Sequence, residues 1–171
     1  MIKKYLPFIF ITFFLCSPVC SAESKSEKDA VWNTGKDDIS HLKAKNSNFK
    51  KGYDALKQAK KYADKKKKYK ATKRFNDSIK FFTLANEENP NQPDILGYLG
   101  YSFKMVGDFT MAEIHFEQGL TIDLQHVKIN EYLGELYLET NRINKAKERL
   151  KVLKNCKCEE FEELQNLISK Y

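Results

Sequence analysis

This chain of 171 residues contains few histidines, arginines, glycines and prolines. Each of these low counts argues against a particular kind of site or fold. The three histidines, at positions 41, 115 and 126, are too scattered to match a common metal-ligand spacing. Three arginines stand against 27 lysines, which argues against a site that binds phosphate through paired hydrogen bonds. Seven glycines and four prolines favour a helical globular domain over an all-β or a disordered one.

The usual catalytic patterns are missing as well. The sequence has no nucleophile elbow and no glycine-rich phosphate loop, and no pair of carboxylates stands out from an ordinary acidic surface. His115 falls within an amphipathic helix pattern, where a surface or half-buried position explains it better than a role as metal ligand. We therefore predict a protein that is not an enzyme and that needs no cofactor or metal.

The first residues, MIKKYLPFIFITFFLCSPVCSAES, have the pattern of a secretory signal peptide over residues 1–22. Two lysines form a basic start, an apolar run follows from Tyr5 to Val19, and small residues end at Ala22. The run is short for a membrane anchor, which needs about 20 residues. Lipid attachment at Cys16 or Cys20 is the weaker alternative, because large residues precede both cysteines. We expect cleavage near Ala22 and a periplasmic or secreted chain.

Charge and polarity divide the remaining sequence. Residues 23–48 are polar and lack helical periodicity, so a flexible tether is predicted. Residues 49–80 hold 13 Lys and Arg against 3 Asp and Glu, whereas residues 81–141 hold 2 against 10. For an exported chain, the basic end suggests docking to anionic lipid or polysaccharide rather than to nucleic acid. A solvated lysine-rich surface is the alternative explanation.

Self-comparison reveals an internal repeat. The stretch YLGYSFKMVGDFTMAEIHFEQGL, from Tyr98, aligns with YLGELYLETNRINKAKERLKVL, from Tyr132, so the period is 132 − 98 = 34. The aligned positions match in size: Leu99 with Leu133, Gly100 with Gly134, Phe103 with Tyr137, Phe109 with Ile143, Ala112 with Ala146, and Phe116 with Leu150. Each unit has the pattern of two short helices, and one such pair cannot bury its apolar faces alone. The units are therefore expected to stack into a solenoid.

A helix–turn–helix unit of this period with Leu-Gly, then an aromatic residue, then Ala, then Phe or Leu resembles the tetratricopeptide repeat. The resemblance implies an all-α, right-handed helical solenoid of about three units with a C-terminal capping helix. Its expected parts are a domain over 49–171, units at about 49–92, 93–126 and 127–160, and a capping helix at 159–171. Small exported bacterial repeat proteins of this kind imply an interaction role in the cell envelope.

The first unit departs from the repeat pattern. At a shift of one period, Lys66 occupies the small-residue position of Gly100. A longer, lysine-rich helix over about 49–72 is expected instead, with the four lysines at 65–68 distributed around all of its sides.

The resemblance also implies where a partner binds, because in such proteins the first helix of each unit lines a concave face. The usual contact positions fall on Tyr98, Tyr101, Lys104, Met105, Lys128, Glu131, Glu135, Leu138 and Glu139. Tyr101 is the best anchor, since an aromatic side chain offers a large contact area at low entropic cost. Packing between repeats is the alternative role for Tyr98. We predict a protein or peptide partner.

The family's clamp for acidic C-terminal chaperone peptides is not expected here. Lys128 matches one clamp position, whereas the other positions are occupied by Ala63, Lys67, Tyr98 and Tyr132. The sequence thus predicts a non-enzymatic interaction scaffold in the bacterial envelope or periplasm. Docking to an anionic surface through the lysine-rich N-terminal helix is the alternative.

Two cysteines, Cys156 and Cys158, lie in NCKCEEFEEL between two helix patterns. Metal binding would need two further ligands, and no histidine or cysteine is near in sequence. A bond between the two cysteines requires the backbone to leave helical geometry, because residues two apart on a helix point to nearly opposite sides. An oxidised pair, within or between chains, and a reduced structural pair both stay open. The acidic segment that follows has an apolar stripe suited to cover the end of the stack.

Overall fold

The computed structural model describes residues 39–171, and this part of the chain is built from α-helices without a strand. The helices are α1 (Ser40–Lys45), α2 (Ser47–Asp64), α3 (Lys68–Glu88), α4 (Pro93–Val106), α5 (Phe109–Ile122), α6 (Val127–Glu139), α7 (Ile143–Leu153) and α8 (Glu159–Ile168). The predicted signal peptide, residues 1–22, and residues 23–38 of the predicted tether lie outside the described residues. Within residues 39–171, every helix is too short or too polar to cross a bilayer.

The predicted tether ends earlier than residue 48, because helical structure begins at residue 40. Ile39 and Leu42 are buried in the core of the first hairpin, which orders the short helix α1. Asn46 then separates α1 from α2. Its side chain accepts a hydrogen bond from Phe49 N at 2.7 Å and donates one to Ala85 O at 3.2 Å. The tether prediction relied on the polar composition of this segment. It did not take account of two buried apolar residues and a helix cap.

The helices form three hairpins, α2–α3, α4–α5 and α6–α7, stacked in chain order. Helix α8 packs against both α6 and α7 and so takes the place of the first helix of a further unit. The predicted all-α solenoid with a C-terminal capping helix is confirmed. Fully buried aromatic and branched side chains fill the space between the hairpins, among them Phe49, Phe75, Phe82, Phe116, Leu99, Leu133 and Leu164.

The turns within the second and third hairpins lie one repeat apart. Gly107 ends α4 with φ of 91°, and Asn141, the equivalent position of the next unit, follows α6 with φ of 59°. Left-handed backbone is readily adopted by Gly and tolerated by Asn, so both residues suit a helix end. Asp108 then caps α5 by accepting a hydrogen bond from Met111 N at 3.1 Å.

The first hairpin is longer than the other two. A Cβ at Gly52 would lie 2.9 Å from the Phe82 ring, just as a Cβ at Gly100 would lie 2.7 Å from the Phe116 ring. Gly52 is therefore the counterpart of Gly100, although the two are more than one repeat apart in sequence. The extra segment adds about two turns to each arm, roughly 10 Å of helix.

This extension corrects the prediction of one continuous helix over 49–72. Helix α2 ends at Asp64 and α3 begins at Lys68, so Lys65 to Lys67 form the turn at the tip of the hairpin. Lys66 has φ of 54°, and the lysines at 65–68 are exposed. These lysines lie at the tip of the extended hairpin, so they do not point toward a neighbouring helix.

A disulfide joins Cys156 to Cys158 in the connection between α7 and α8. A disulfide between residues two apart requires the backbone to leave helical geometry, and it does so here. Lys157 has φ of 51°, and Cys158 is extended with φ of −119° and ψ of 158°. The pair is buried at the base of the capping helix. Leu164 of that helix packs on Gly134. A Cβ added at Gly134 would lie 2.6 Å from the Cδ2 atom of Leu164.

Candidate partner-binding face

The first helices of successive units contact one another in order: α2 touches α4, α4 touches α6, and α6 touches α8. We call the exposed side of this row the concave face. All nine candidate residues from the sequence lie on α4 and α6 in this row. The side chains that cross from one first helix to the next define its chemistry.

Lys104 on α4 is bound by two glutamates of α6. Its Nζ atom lies 2.7 Å from Glu135 Oε2 and 2.7 Å from Glu139 Oε1. Burial by itself lowers the pKa of Lys104, but the two carboxylates outweigh burial and hold the pKa above its ordinary value. Lys104 is therefore a charged, nearly buried link between two units.

Lys128 forms the matching link between α6 and α8. Its Nζ atom lies 2.8 Å from Glu160 Oε1 and 3.2 Å from Glu131 Oε2. Burial opposes the charged form, yet the two glutamates raise the pKa of Lys128 above its ordinary value. The capping helix thus contributes a buried carboxylate just beneath the concave face.

Glu131 has the most perturbed carboxyl group of this face. It is 2% exposed, and burial, together with a hydrogen bond to Glu163, raises its pKa to about 8 in opposition to Lys128. A carboxyl group with this pKa is mostly protonated at neutral pH and can donate to a neighbouring carboxylate. Glu131 therefore keeps its proton near neutral pH and forms a hydrogen bond with Glu163 that connects α6 to α8.

Tyr101 is half-buried within an aromatic row. Its ring centroid lies 4.6 Å from that of Tyr132 and 6.4 Å from that of Phe75, and Lys60 Nζ sits 4.5 Å above its ring. Burial, followed by the field of Glu135, raises the pKa of Tyr101 to about 12, so the phenol stays neutral. Lys60 links α2 to α4 as the two other lysines link the later helices.

The structure divides the nine predicted contact residues into two groups. Tyr101, Met105, Lys128, Glu135 and Glu139 retain exposed area, and Met105 is 37% exposed. The buried group consists of Tyr98, Lys104, Glu131 and Leu138. Tyr98 packs between repeats, with ring centroids 5.5 Å from Phe82 and 5.9 Å from Phe49, which is the packing that its alternative role describes.

Sequence reasoning missed three contributors to this face: Lys60, Glu160 and Glu163. The glutamates at the start of α8 are explained in sequence by the helix dipole alone, which favours acidic residues there. Their second role is to contact Lys128 and Glu131. This role follows from the position of α8, which lies beside α6 as the first helix of a further unit would. The repeat period, extended past residue 160, is the signal that places it.

The concave face has little room for a small ligand beside Tyr98 and Lys128. Within residues 39–171, no three histidine, cysteine, aspartate or glutamate side chains form a metal-binding group. One cavity beside the concave face, next to Tyr98 and Lys128, measures about 10 Å³, the size of one water molecule. The chemistry available at this face is the binding of an extended surface.

Sequence comparisons return nothing: no family model matches the chain, and no curated protein does. Solved structures do match. The Arabidopsis OM64 TPR domain aligns with a TM-score of 0.53 at 16% identity, covering 72% of this chain and 98% of that one. The first TPR of Spaghetti (RPAP3), bound to the HSP90 peptide SRMEEVD, aligns with a TM-score of 0.54 at 14% identity, covering 71% and 96%.

A bacterial structure matches to a similar degree. The Yersinia enterocolitica type III secretion chaperone SycD, in complex with a peptide of the translocator YopD, aligns with a TM-score of 0.51 at 17% identity. The alignment covers 69% of this chain and 86% of that one. Identities this low establish the fold and nothing finer. The chain has a tetratricopeptide-like fold, as the repeat in its sequence predicts.

Proposed function

We propose that the protein is a non-enzymatic interaction scaffold whose concave face binds a segment of another protein. One observation carries the proposal: Tyr101 and Met105 present partly exposed apolar surface beside Glu135 and Glu139, on helices held together by Lys104. A rigid surface that combines an aromatic anchor with polar neighbours is typical of a binding site. Two of the similar structures, Spaghetti (RPAP3) and SycD, contain bound peptides, which supports a peptide ligand here.

Affinity capture with a matched pair of variants tests this proposal. The immobilised chain 23–171 is used to capture proteins from an envelope extract of the source organism. We expect the double variant Tyr101→Ala, Met105→Ala to lose most of the captured partner. The control variant Ile114→Ala, Ile122→Ala removes exposed apolar surface from α5, a second helix, and should capture as the unchanged chain does.

Tyr101→Ala also removes ring contacts, so its thermal stability must be measured beside capture. Met105→Ala alone serves as the milder variant, because its side chain is largely exposed. Equal capture by unchanged chain and both concave-face variants would move the binding site elsewhere.

We further propose that the scaffold works in the bacterial cell envelope or periplasm after cleavage near Ala22. The signal-peptide pattern of residues 1–22 supports this location. Expression of the full chain with a C-terminal tag, followed by cell fractionation and N-terminal sequencing, tests it. The expected product is a periplasmic or secreted chain starting near residue 23. An uncleaved chain in the cytoplasmic fraction would contradict the proposal.

A further inference from the structure

The two lysines of the concave face are already neutralised by this chain's own glutamates. Lys104 contacts two carboxylates at 2.7 Å, and Lys128 contacts the Glu160 carboxylate at 2.8 Å and the carboxyl group of Glu131 at 3.2 Å. An anionic ligand would have to compete with four internal contacts that also hold the units together. These lysines therefore do not form a receptor for an acidic peptide, in contrast to a site that accepts a peptide such as SRMEEVD.

Carboxylates remain in excess after this pairing. Five glutamates lie around the two lysines: Glu131, Glu135, Glu139, Glu160 and Glu163. Glu131 keeps its proton near neutral pH, which leaves four negative charges on these glutamates against three positive ones, on Lys104, Lys128 and Lys60 above the Tyr101 ring. Glu139 is the most accessible partner of Lys104, with 44% of its side chain exposed. The concave face is negative although the whole chain is basic.

A buried glutamate beside Lys128 adds to the negative potential of this cluster. The Glu160 carboxylate is directed at Lys128 through Oε1, and its other oxygen, Oε2, is buried without a hydrogen-bond partner among the described residues. Glu160 as a whole is 1% exposed. A buried carboxylate oxygen without a donor leaves its negative charge only partly compensated, which favours a cationic group at the exposed glutamates beside it.

We infer that the concave face binds an extended peptide segment of a partner protein that carries lysine or arginine side chains. The cationic groups pair with Glu139, Glu135 and the exposed Glu163 of α8, and the aliphatic stems lie on Tyr101 and Met105. This inference rests on the proposed function, because it names the ligand chemistry of the same face. Charge complementarity selects this occupant over an acidic one.

Fluorescence anisotropy with three labelled peptides tests the charge of the ligand. The probes are Lys-Ala-Leu, Gln-Ala-Leu and Glu-Ala-Leu, each repeated three times, titrated with chain 23–171 in low salt. We expect the lysine peptide to bind at least ten-fold more tightly than the glutamate peptide, and its affinity to fall as salt is added. Equal binding of all three peptides, or tighter binding of the glutamate peptide, would overturn the inference.

A groove variant and a matched control locate the binding. The triple variant Lys104→Met, Glu135→Gln, Glu139→Gln removes the buried lysine with its partners, so no unpaired charge is left inside. It should bind the lysine peptide at least ten-fold more weakly. The control Glu87→Gln, Glu148→Gln removes two exposed carboxylates from α3 and α7, second helices, and should bind normally. Unfolding curves confirm that both variants are folded.

The remaining outcomes separate this inference from the proposed function. If the glutamate peptide binds best and Tyr101→Ala, Met105→Ala weakens it, the concave face is still the binding site but its ligand is acidic. If the lysine peptide binds the triple variant and the unchanged chain equally, the basic ligand is not bound by these glutamates. Self-association in sedimentation experiments that disappears when the lysines at 65–68 are replaced by serine would make the occupant a second copy. The first two results contradict a basic ligand bound by these glutamates, and the third contradicts a partner other than this chain.

Discussion

Three glycines let helices approach more closely than any larger residue would allow. Gly52 faces Phe82, Gly100 faces Phe116, and Gly134 faces Leu164 of the capping helix. The first two contacts close hairpins, and the third seats α8 on α6. Because interiors are densely packed, a single added methyl group at such a point forces its neighbour to move.

We expect Gly100→Ala to destabilise the protein by about 1–3 kcal/mol, the usual effect of overpacking a core. The new Cβ would lie 2.7 Å from the Phe116 ring and 3.1 Å from the backbone oxygen of Ala112, which cannot move aside easily. The better helix propensity of alanine, about 1 kcal/mol, offsets part of this loss. Chemical unfolding of the variant and the unchanged chain measures the net change in the free energy of unfolding.

Gly97→Ala is the matched control on the same helix. Its closest contact would be Ile129 Cγ1 at 3.0 Å, and no backbone atom of another segment lies within 4 Å, in contrast to Gly100. We expect a smaller loss or a slight gain in stability. Greater damage from Gly97→Ala than from Gly100→Ala would contradict this account of the contact.

The protonated Glu131 predicts a pH dependence of stability. Its pKa is about 8 in the folded chain, against the ordinary value of 4.5 in the unfolded chain, so between these values the unfolded chain binds fewer protons at this group. The contribution of Glu131 to the free energy of unfolding therefore decreases as pH rises through this interval. Glu131→Gln should flatten this decrease and raise the melting temperature at the alkaline end of the interval.

The neighbours of Glu131 define the control. Lys128, Glu135 and Glu163 act on its charge, and Lys128 keeps Glu160 as a partner in the variant. Glu148, exposed on α7, lies outside this cluster, so Glu148→Gln should leave the pH profile unchanged. Parallel pH profiles for the unchanged chain and Glu131→Gln would show that Glu131 titrates normally.

At the level of helices, the structure explains which features the sequence could reveal. The repeat period is a local pattern, so it places Gly100 and Gly134 at helix contacts without any coordinates. The period does not identify Gly52 as the counterpart of Gly100. The extra residues of the first hairpin place Gly52 more than one period before Gly100. The candidate face follows the same rule: Glu135 and Glu139 are predictable by position, whereas their joint pairing with Lys104 depends on the distance between helices.

The disulfide at the base of α8 gives a prediction for one helix. Replacing Cys156 and Cys158 with serine should keep the fold and lower the free energy of unfolding by about 1–2 kcal/mol, since the ring they close is very short. Mass spectrometry of the non-reduced chain should find two hydrogen masses fewer than after reduction. The pair Cys156→Ala, Cys158→Ala controls for the burial of two hydroxyl groups. Collapse of the domain in both pairs would mean that the bond is essential for folding.

Across the whole molecule, positive charge is concentrated at the tip of the first hairpin and negative charge on the concave face. The lysines at 65–68 are exposed, and the ion pairs that link the units are made by other lysines and an arginine. Replacing all four with serine should therefore leave the melting temperature nearly unchanged. Equilibrium unfolding of this variant measures the effect, and a large loss of stability would contradict a solvated tip.

The same variant tests the alternative of docking to an anionic surface. Co-sedimentation with vesicles that contain anionic lipid, at low and high salt, compares it with the unchanged chain. Salt-sensitive binding that requires these lysines would support surface docking. Absence of binding at low salt would leave the tip as a solvated end of the scaffold.

The extended first hairpin also has an evolutionary consequence. Gly52 and Phe82 are farther apart in sequence than Gly100 and Phe116, yet the two contacts are equivalent. Separate insertions in α2 and α3 would each have broken this contact until the other arose. A single insertion at the turn lengthens both arms at once and leaves every older contact in place. A protruding, lysine-rich arm therefore needs only one insertion at the turn, and the Gly52–Phe82 contact at its base is kept.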